Sequence, residues 1–368
     1  MLSSPYPSSS RKATSFRSTP EAVSISSGFS HLSTLIFGAG AIGQWLGALL
    51  VSSGTKVQLH GREAVAEAVQ KQGGVVLNGG KPQQVKFSYN LEQLKGQSFD
   101  TVVSTVKTFA VESALGDLVD AQLDFQNLVS FQNGWGTEEH YLKAFPEKNF
   151  WALTTTRAVG VEGPGRLTPS TKGGLAIAPW NANPLLGIPE GLRKVKIPLA
   201  RVERGVDLKW SKLVLNIIGN ATGAITGLSP SHLANHPQIM KTEMQLVREC
   251  MAVGRAMGIR RVDLPGFPIQ LLSGALEKLP IRVVTPVIAA KMRRARGDKL
   301  PSLFADLEDP TRPTEIDHLN GAVVAEGEKL GISTPKQKAL VSLFHRCRRD
   351  QELWQRIRRE PTVMLEFV

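Results

Sequence analysis

Six residues near the start, Gly38-Ala39-Gly40-Ala41-Ile42-Gly43, carry the spacing GxGxxG. The pattern has a specific chemistry when it follows a strand and opens a helix. The first glycine permits a tight turn, the second lets backbone approach a pyrophosphate, and the third lets helix and strand pack closely. The helix start then offers free amides and a positive dipole to the phosphates. Here the short apolar run Leu32–Phe37 leads into Gly38, and a helical pattern covers Ala41–Ser52. A dinucleotide site is therefore expected on Gly38, Ala39, Gly40, Ala41, Ile42 and Gly43.

The next strand pattern, Lys56–His60, ends in His60-Gly61-Arg62-Glu63. An acid at such a tip would bind the ribose hydroxyls of NAD, whereas an arginine suits a 2′-phosphate. With Arg62 ahead of Glu63, NADPH is the expected cofactor.

Three further groups could act at a reacting centre. Ser104-Thr105-Val106-Lys107 and Ser130-Phe131-Gln132-Asn133-Gly134-Trp135-Gly136 each end an apolar strand pattern, Phe99–Val106 and Asn127–Phe131. Open α/β sheets bind ligands beyond the carboxyl ends of their strands, so Lys107 and Asn133 are aimed at that crevice. Lys212, Asn216 and Asn220 recur every four residues on a predicted helix, Trp210–Ile225. That spacing places them on one face. A lysine and two asparagines among Trp210, Leu213, Leu215 and Ile217 need partners, which a polar cleft supplies. A polar stripe on an ordinary helix surface is the plainer alternative. Glu315, in Pro313-Thr314-Glu315-Ile316-Asp317, and Ser302, in Pro301-Ser302-Leu303, read locally as a first-turn acid and a helix cap.

Strand and helix patterns alternate from about residue 31, including a helix over Phe109–Val119, which implies a parallel sheet with crossover helices. Residues 151–203, with Gly163-Pro164-Gly165 and Gly173-Gly174, read as an antiparallel end to that sheet. Beyond Val206 the periodicity is helical, over Pro237–Met257, Pro268–Leu279, Glu315–Leu330 and Thr334–Leu353. Gly258 and Gly331 sit where a left-handed residue ends a helix. The expected architecture is α/β. An N-terminal Rossmann-type dinucleotide-binding domain (31–203) would precede a second, all-helical C-terminal domain (204–368).

The chain has 368 residues, 42% hydrophobic and 21% charged, and no apolar run long enough to span a bilayer. Two cysteines, Cys250 and Cys347, exclude a disulfide framework and a thiolate zinc site. Neither GxSxG nor HExxH is present, the seven histidines form no cluster, and no metal is expected. The net charge of +12 favours anionic partners, but the basic residues are scattered. The densest group, Lys291, Arg293, Arg294 and Arg296, reads as a solvated helix face, so neither nucleic acid nor membrane is an expected partner. Residues 1–30, Ser-rich with Glu21 as their single acid, read as a disordered extension or an organelle transit peptide. The expected setting is accordingly cytoplasmic, or an organelle if that leader is a targeting signal, and the protein a monomer or homodimer.

From about residue 33 to 350 the sequence resembles the ketopantoate reductase (2-dehydropantoate 2-reductase) family. Five blocks carry the resemblance in order: Gly38–Gly43, Val106-Lys107, Gln132–Gly136, Trp210–Asn216 and Arg312–Gly321. The resemblance implies an NADPH-dependent reduction of a 2-keto acid, ketopantoate first, in pantothenate and coenzyme A biosynthesis. It implies Lys212 as general acid, Glu315 holding the lysine–substrate network, and Asn216 and Asn220 on the substrate. Asn133 and Lys107 would line the nicotinamide side. Ser302 matches a substrate-binding serine only with one residue inserted before Glu315. The family usually has Pro-Leu-Thr after the second asparagine, where this chain has Ala221-Thr222-Gly223. A reductase of a different small 2-keto acid and a catalytically silent NADP-binding sensor are the alternatives. The complete set Lys212, Asn216 and Glu315 argues against silence, because a sensor needs no proton donor.

Overall fold

The structure, a computed structural model, describes residues 32–181, 188–295 and 299–368. The Ser-rich extension, whose character as tail or transit peptide was raised above, lies outside the described residues, as does Arg296. In the first half the elements run β1 (Ser33–Phe37), α1 (Ala41–Ser52), β2 (Lys56–His60), α2 (Glu63–Lys71), β3 (Val76–Leu77), β4 (Lys86–Ser88), β5 (Ser98–Ser104), α3 (Val111–Asp120), β6 (Asp124–Ser130), α4 (Glu138–Ala144), β7 (Asn149–Thr155), β8 (Val159–Gly163), β9 (Arg166–Pro169), β10 (Leu175–Pro179), α5 (Ile188–Lys194) and β11 (Leu199–Arg201).

Eight of these strands form one sheet in the order β11-β10-β7-β6-β5-β1-β2-β4. Every neighbouring pair is parallel except β7 with β10. The expected antiparallel end is thus a single antiparallel step, after which β11 returns parallel to β10. The turns at Gly163-Pro164-Gly165 belong elsewhere. They close the hairpin of β8 and β9, which joins β3 in a separate three-stranded sheet.

Alternation along β1 explains the layering. Ile36 faces a core with Trp45, Leu46 and Leu50 of α1, while Leu35 and Phe37 face one with Leu115 and Leu118 of α3. Both faces are covered, so the central strands read as continuous apolar runs. Because β1, β2, β5, β6 and β7 are parallel, their carboxyl ends share one edge. Gly38, Arg62, Lys107 and Asn133 leave the sheet there.

The second half is helical: α6 (Gly205–Ile217), α7 (Ala221–Thr226), α8 (Pro230–Leu233), α9 (Pro237–Ala256), α10 (Ile269–Lys278), α11 (Ile281–Ala295), α12 (Phe304–Glu308), α13 (Asn320–Leu330), α14 (Pro335–Arg349) and α15 (Gln351–Arg359). Trp210, Leu213 and Ile217 of α6 enter the core of this half, with Met244, Phe344 and Trp354. Leu208 and Leu215, on the same helix, pack against Ala152, Ala176 and Ala178 of the sheet. The small alanines let α6 lie close on the sheet, which ties the two halves together. Gly258 and Gly331 end α9 and α13 in the left-handed conformation expected for them, with φ of 71° and 68°.

The predicted continuous helix Trp210–Ile225 is broken. Helix α6 stops at Ile217, Ile218 turns to ψ 110°, and Gly219 takes φ +67°. The buried carboxylate of Glu243 on α9 accepts the Gly219 amide at 2.5 Å and the Thr222 hydroxyl. Asn220 is therefore the N-cap residue of α7 rather than a continuation of the face of Lys212 and Asn216. The stretch Thr334–Leu353 is likewise divided at Asp350, whose side chain caps α15 through the Leu353 amide at 2.9 Å.

Candidate active site at the carboxyl edge

The glycine turn is built as its spacing requires. Gly38 has φ +109°, and a Cβ there would lie 2.7 Å from the Val106 amide. Gly43 is packed hardest, since a Cβ would meet the Gly38 carbonyl oxygen at 2.2 Å and Thr105 Oγ1 at 2.6 Å. Thr105 closes the turn by donating its hydroxyl to Gly38 O. A Cβ on Gly40 would meet nothing within 4 Å. Gly40 is also the N-cap of α1, whose first turn carries no acid and whose cap makes no side-chain hydrogen bond. The start of α1 thus has open space beside Gly40 and no side-chain cap, an arrangement suited to a phosphate. Gln44 braces the turn, donating to Ala39 O at 2.8 Å while accepting the Gly165 amide at 2.9 Å.

At the tip of β2, His60 stacks on Phe37 with ring centroids 4.7 Å apart and has Nδ1 3.1 Å from Ser88 Oγ. Burial lowers its pKa, against the raising pull of Asp117. It is packed between Phe37 and Ser88. Gly61 follows because a Cβ would strike Ala39 Cβ at 2.7 Å. Arg62, exposed at the N-cap of α2, makes no ion pair among the described residues, and Glu63 lies behind it in the first turn of that helix. The tip thus presents a cation and no carboxylate ahead of it.

The reacting end gathers from both halves. Lys107 Nζ meets Glu315 Oε2 at 2.6 Å, and the Thr108 hydroxyl donates to Glu315 Oε1 at 3.4 Å. Glu315 is 8% exposed, so the ion pair stands at the wall of the crevice. Asn216 Nδ2 donates to Asn133 Oδ1 at 3.3 Å, bringing α6 onto the end of β6. Lys212 is half-buried one helical turn before Asn216, on the same face. Asn220 Oδ1 accepts from Ser302 Oγ and from the Leu303 amide, both at 3.4 Å. Ser302 therefore meets Asn220 although its spacing to Glu315 is irregular. The two blocks are tied together by the Trp135 amide, which donates to His318 O at 2.9 Å. Gly134, with φ +84°, sits so close to His318 O that a Cβ would lie at 2.5 Å.

Several residues at this edge are not candidates on sequence grounds. Thr105 and Thr108 flank Lys107 and serve the glycine turn and Glu315. Asp306 of α12 lies beside the Lys107–Glu315 pair and accepts the Thr314 hydroxyl at 3.0 Å. Burial is the largest influence on it and raises its pKa. Lys209, Glu138 and Gln132 form a buried group below the site. Lys209 and Lys212 sit three residues apart in an amphipathic run, and only packing makes the first fully buried and the second half-buried.

A Rossmann-type sheet, its carboxyl edge covered by a helical domain that brings a lysine and an asparagine face to it, is the arrangement of a two-domain oxidoreductase. The family model described as "Ketopantoate reductase PanE/ApbA" matches residues 34–182, and its C-terminal counterpart matches residues 206–348. The chain belongs to the ketopantoate reductase family. A protein of Streptococcus pyogenes (serotype M6) called 2-dehydropantoate 2-reductase is 26% identical over 314 residues, spanning 84% of this chain and 96% of its own. One of the same name from Pyrococcus horikoshii is 25% identical, over 82% and 92%. Among solved structures, a PanE/ApbA family ketopantoate reductase from Ralstonia eutropha superposes with a TM-score of 0.71 at 24% identity, over 87% of this chain and all of that one. A D-mandelate dehydrogenase solved with NADH and anilino(oxo)acetate has the same fold, at TM-score 0.70 and 22% identity, over 88% and 99%.

Proposed function

We propose that the protein reduces ketopantoate to pantoate with NADPH, the reductive step of pantothenate and coenzyme A biosynthesis. The observation that carries this reading is the meeting of Asn216 with Asn133. It brings the Lys212 face of α6 to the same sheet edge as the glycine turn and the Lys107–Glu315 pair.

The residues fit a phosphorylated dinucleotide. The open space above Gly40 and the uncapped start of α1 suit a pyrophosphate, and Arg62 suits a 2′-phosphate. The bound cofactor would supply a hydride from its reduced nicotinamide. As the ketone carbon gains that hydride, the C=O pair withdraws to oxygen, and Lys212 Nζ donates the proton that makes the product hydroxyl. An ammonium there stabilises the developing alkoxide before it protonates it. Asn133 and Asn216, already bonded to each other, hold nicotinamide ribose and substrate in register. Glu315, anchored by Lys107 and Thr108, orients the lysine–substrate network. Asn220 and Ser302 close the far end of the substrate.

A second reading, reduction of another small 2-keto acid, rests on the Ala221-Thr222-Gly223 segment that follows Asn220. The resemblance implies that Pro-Leu-Thr is usual at this position. Here Asn220 is the N-cap residue of α7, and Thr222, fully buried, is bound to Glu243. Absorbance-monitored NADPH oxidation with ketopantoate, pyruvate and 2-ketoisovalerate separates the two. A kcat/KM for ketopantoate at least tenfold above the others is expected. A reversed order selects the second reading. No turnover with any of them, despite tight NADPH binding, refutes the first and leaves a different keto acid or a silent NADP-binding sensor.

The cofactor preference rests on Arg62. Arg62→Ala should weaken NADPH binding by roughly 10- to 100-fold, the size of a lost charge-assisted phosphate contact. NADH binding should change by less than about threefold, since it has no 2′-phosphate to lose. Equal losses in fluorescence titrations with the two cofactors would refute the assignment.

A further inference from the structure

Below the carboxyl edge lies a group of polar side chains that the reaction itself does not use. Lys209 is 2% exposed, and its ammonium donates to the Gln132 carbonyl at 2.6 Å. Glu138 of α4 is also 2% exposed, with Oε1 2.9 Å from Lys209 Nζ, a close ion contact between two fully buried charges. The Gln132 side chain donates to Ser104 O at 2.9 Å and to Ser104 Oγ at 3.2 Å. Tyr141, one turn after Glu138, donates its hydroxyl to the same Ser104 Oγ at 2.8 Å.

Four elements meet in this group: the end of β5, the end of β6, α4 and α6. Three of them are one step from a residue of the site. Ser104 precedes Lys107 by three residues, Gln132 is the neighbour of Asn133, and Lys209 is one turn before Lys212. A buried pair of this kind is weak evidence for stability, because desolvation offsets much of the attraction. A hydrophobic pair would hold α6 against the sheet at least as well. A hydrophobic pair would not grip the Gln132 carbonyl.

We infer that Lys209 and Glu138 are positioning residues for the reduction. They fix the Gln132-Asn133-Gly134 turn against α6, so that Asn133 and Lys212 face the substrate in one geometry. Glu138 orients the ammonium, the ammonium holds the carbonyl, and the carbonyl sets the turn. This role rests on the reductase reading above, but the state of the turn can be measured without turnover.

The test compares Lys209→Met and the double variant Lys209→Met/Glu138→Leu with the natural protein. The single variant leaves a buried carboxylate unpaired and should melt lower. The double variant should regain most of the lost melting temperature, because both charges are gone. It should nevertheless show a kcat at least tenfold down with NADPH affinity within about threefold. Backbone hydrogen exchange across residues 131–137 should be at least tenfold faster in both. A double variant with natural kcat and natural exchange over 131–137 would overturn the inference, leaving the pair a packing feature. If the double variant does not fold, Glu138→Gln decides, since it keeps shape and removes only the charge. A lowered kcat and faster exchange there support the role, and unchanged values overturn it. If the natural protein turns over no keto acid, the reductase reading fails, and the exchange comparison alone still decides whether the pair holds the turn.

Discussion

Lys212→Ala should bind NADPH as the natural protein does and lose turnover by roughly 10²–10⁴, the usual share of a general acid. In energy this is about 3–5 kcal/mol of transition-state stabilisation. The loss should fall on kcat and kcat/KM alike, because the proton is needed only as the alkoxide develops. Lys212→Arg should not restore it, since a guanidinium holds its proton too tightly to give it up near neutral pH. Lys209, three residues away, is placed differently. Its ammonium is buried against the Gln132 carbonyl and Glu138, whereas Lys212 is half-buried on the face of Asn216. Steady-state kinetics with fluorescence titration of NADPH separates the outcomes. Turnover within a fewfold of natural would remove Lys212 from the acid's role.

The second large effect is expected at the glycine turn, where two alanine substitutions should behave differently. Gly43→Ala puts a Cβ 2.2 Å from the Gly38 carbonyl oxygen. Backbone cannot swing aside as a side chain can, so α1 must shift from β1. An overpacking cost of about 1–3 kcal/mol in stability is expected. A comparable loss in NADPH affinity should accompany it, as amides move off the pyrophosphate. Gly40→Ala meets nothing in the protein. It should melt as the natural protein does and still bind NADPH at least about tenfold more weakly, because the added methyl occupies the space the pyrophosphate needs. Thermal melts with and without NADPH measure both. A Gly40→Ala protein with natural affinity would mean that no phosphate sits over this turn.

Much of this architecture is legible in the sequence because it depends on local pattern. The strand into Gly38, the helix Ala41–Ser52 and the strand Lys56–His60 can be read directly, since buried parallel strands are apolar runs and the helices between them are periodic. Gly258 and Gly331 announce helix ends through the same chemistry that places them in the left-handed region. What escapes is set by contacts distant in sequence. The break after Ile217 comes from Glu243, more than twenty residues on, taking the Gly219 amide, and no periodicity contains that. The three-stranded sheet of β3, β8 and β9 pairs segments some ninety residues apart. The same limit applies to the site. Lys107, Asn133, Lys212 and Glu315 can be nominated by position and resemblance. That Glu315 pairs with Lys107, or that Ser302 meets Asn220, follows only from the packing of α12 and the turn at Ile316–His318 around α6 and α7. Lys209 and Glu138 are the clearest case. Each looks like an ordinary surface charge in the sequence, and burial alone reveals the pair.

The most direct test of the central claim follows the hydride itself. The protein is incubated with ketopantoate and NADPH carrying deuterium at the transferable C4 position of the nicotinamide, and the pantoate is examined by mass spectrometry. One deuterium on C2 of pantoate, formed in step with cofactor oxidation and abolished in Lys212→Ala, is the predicted result. Pantoate without deuterium, or cofactor oxidation with no pantoate formed, would contradict it.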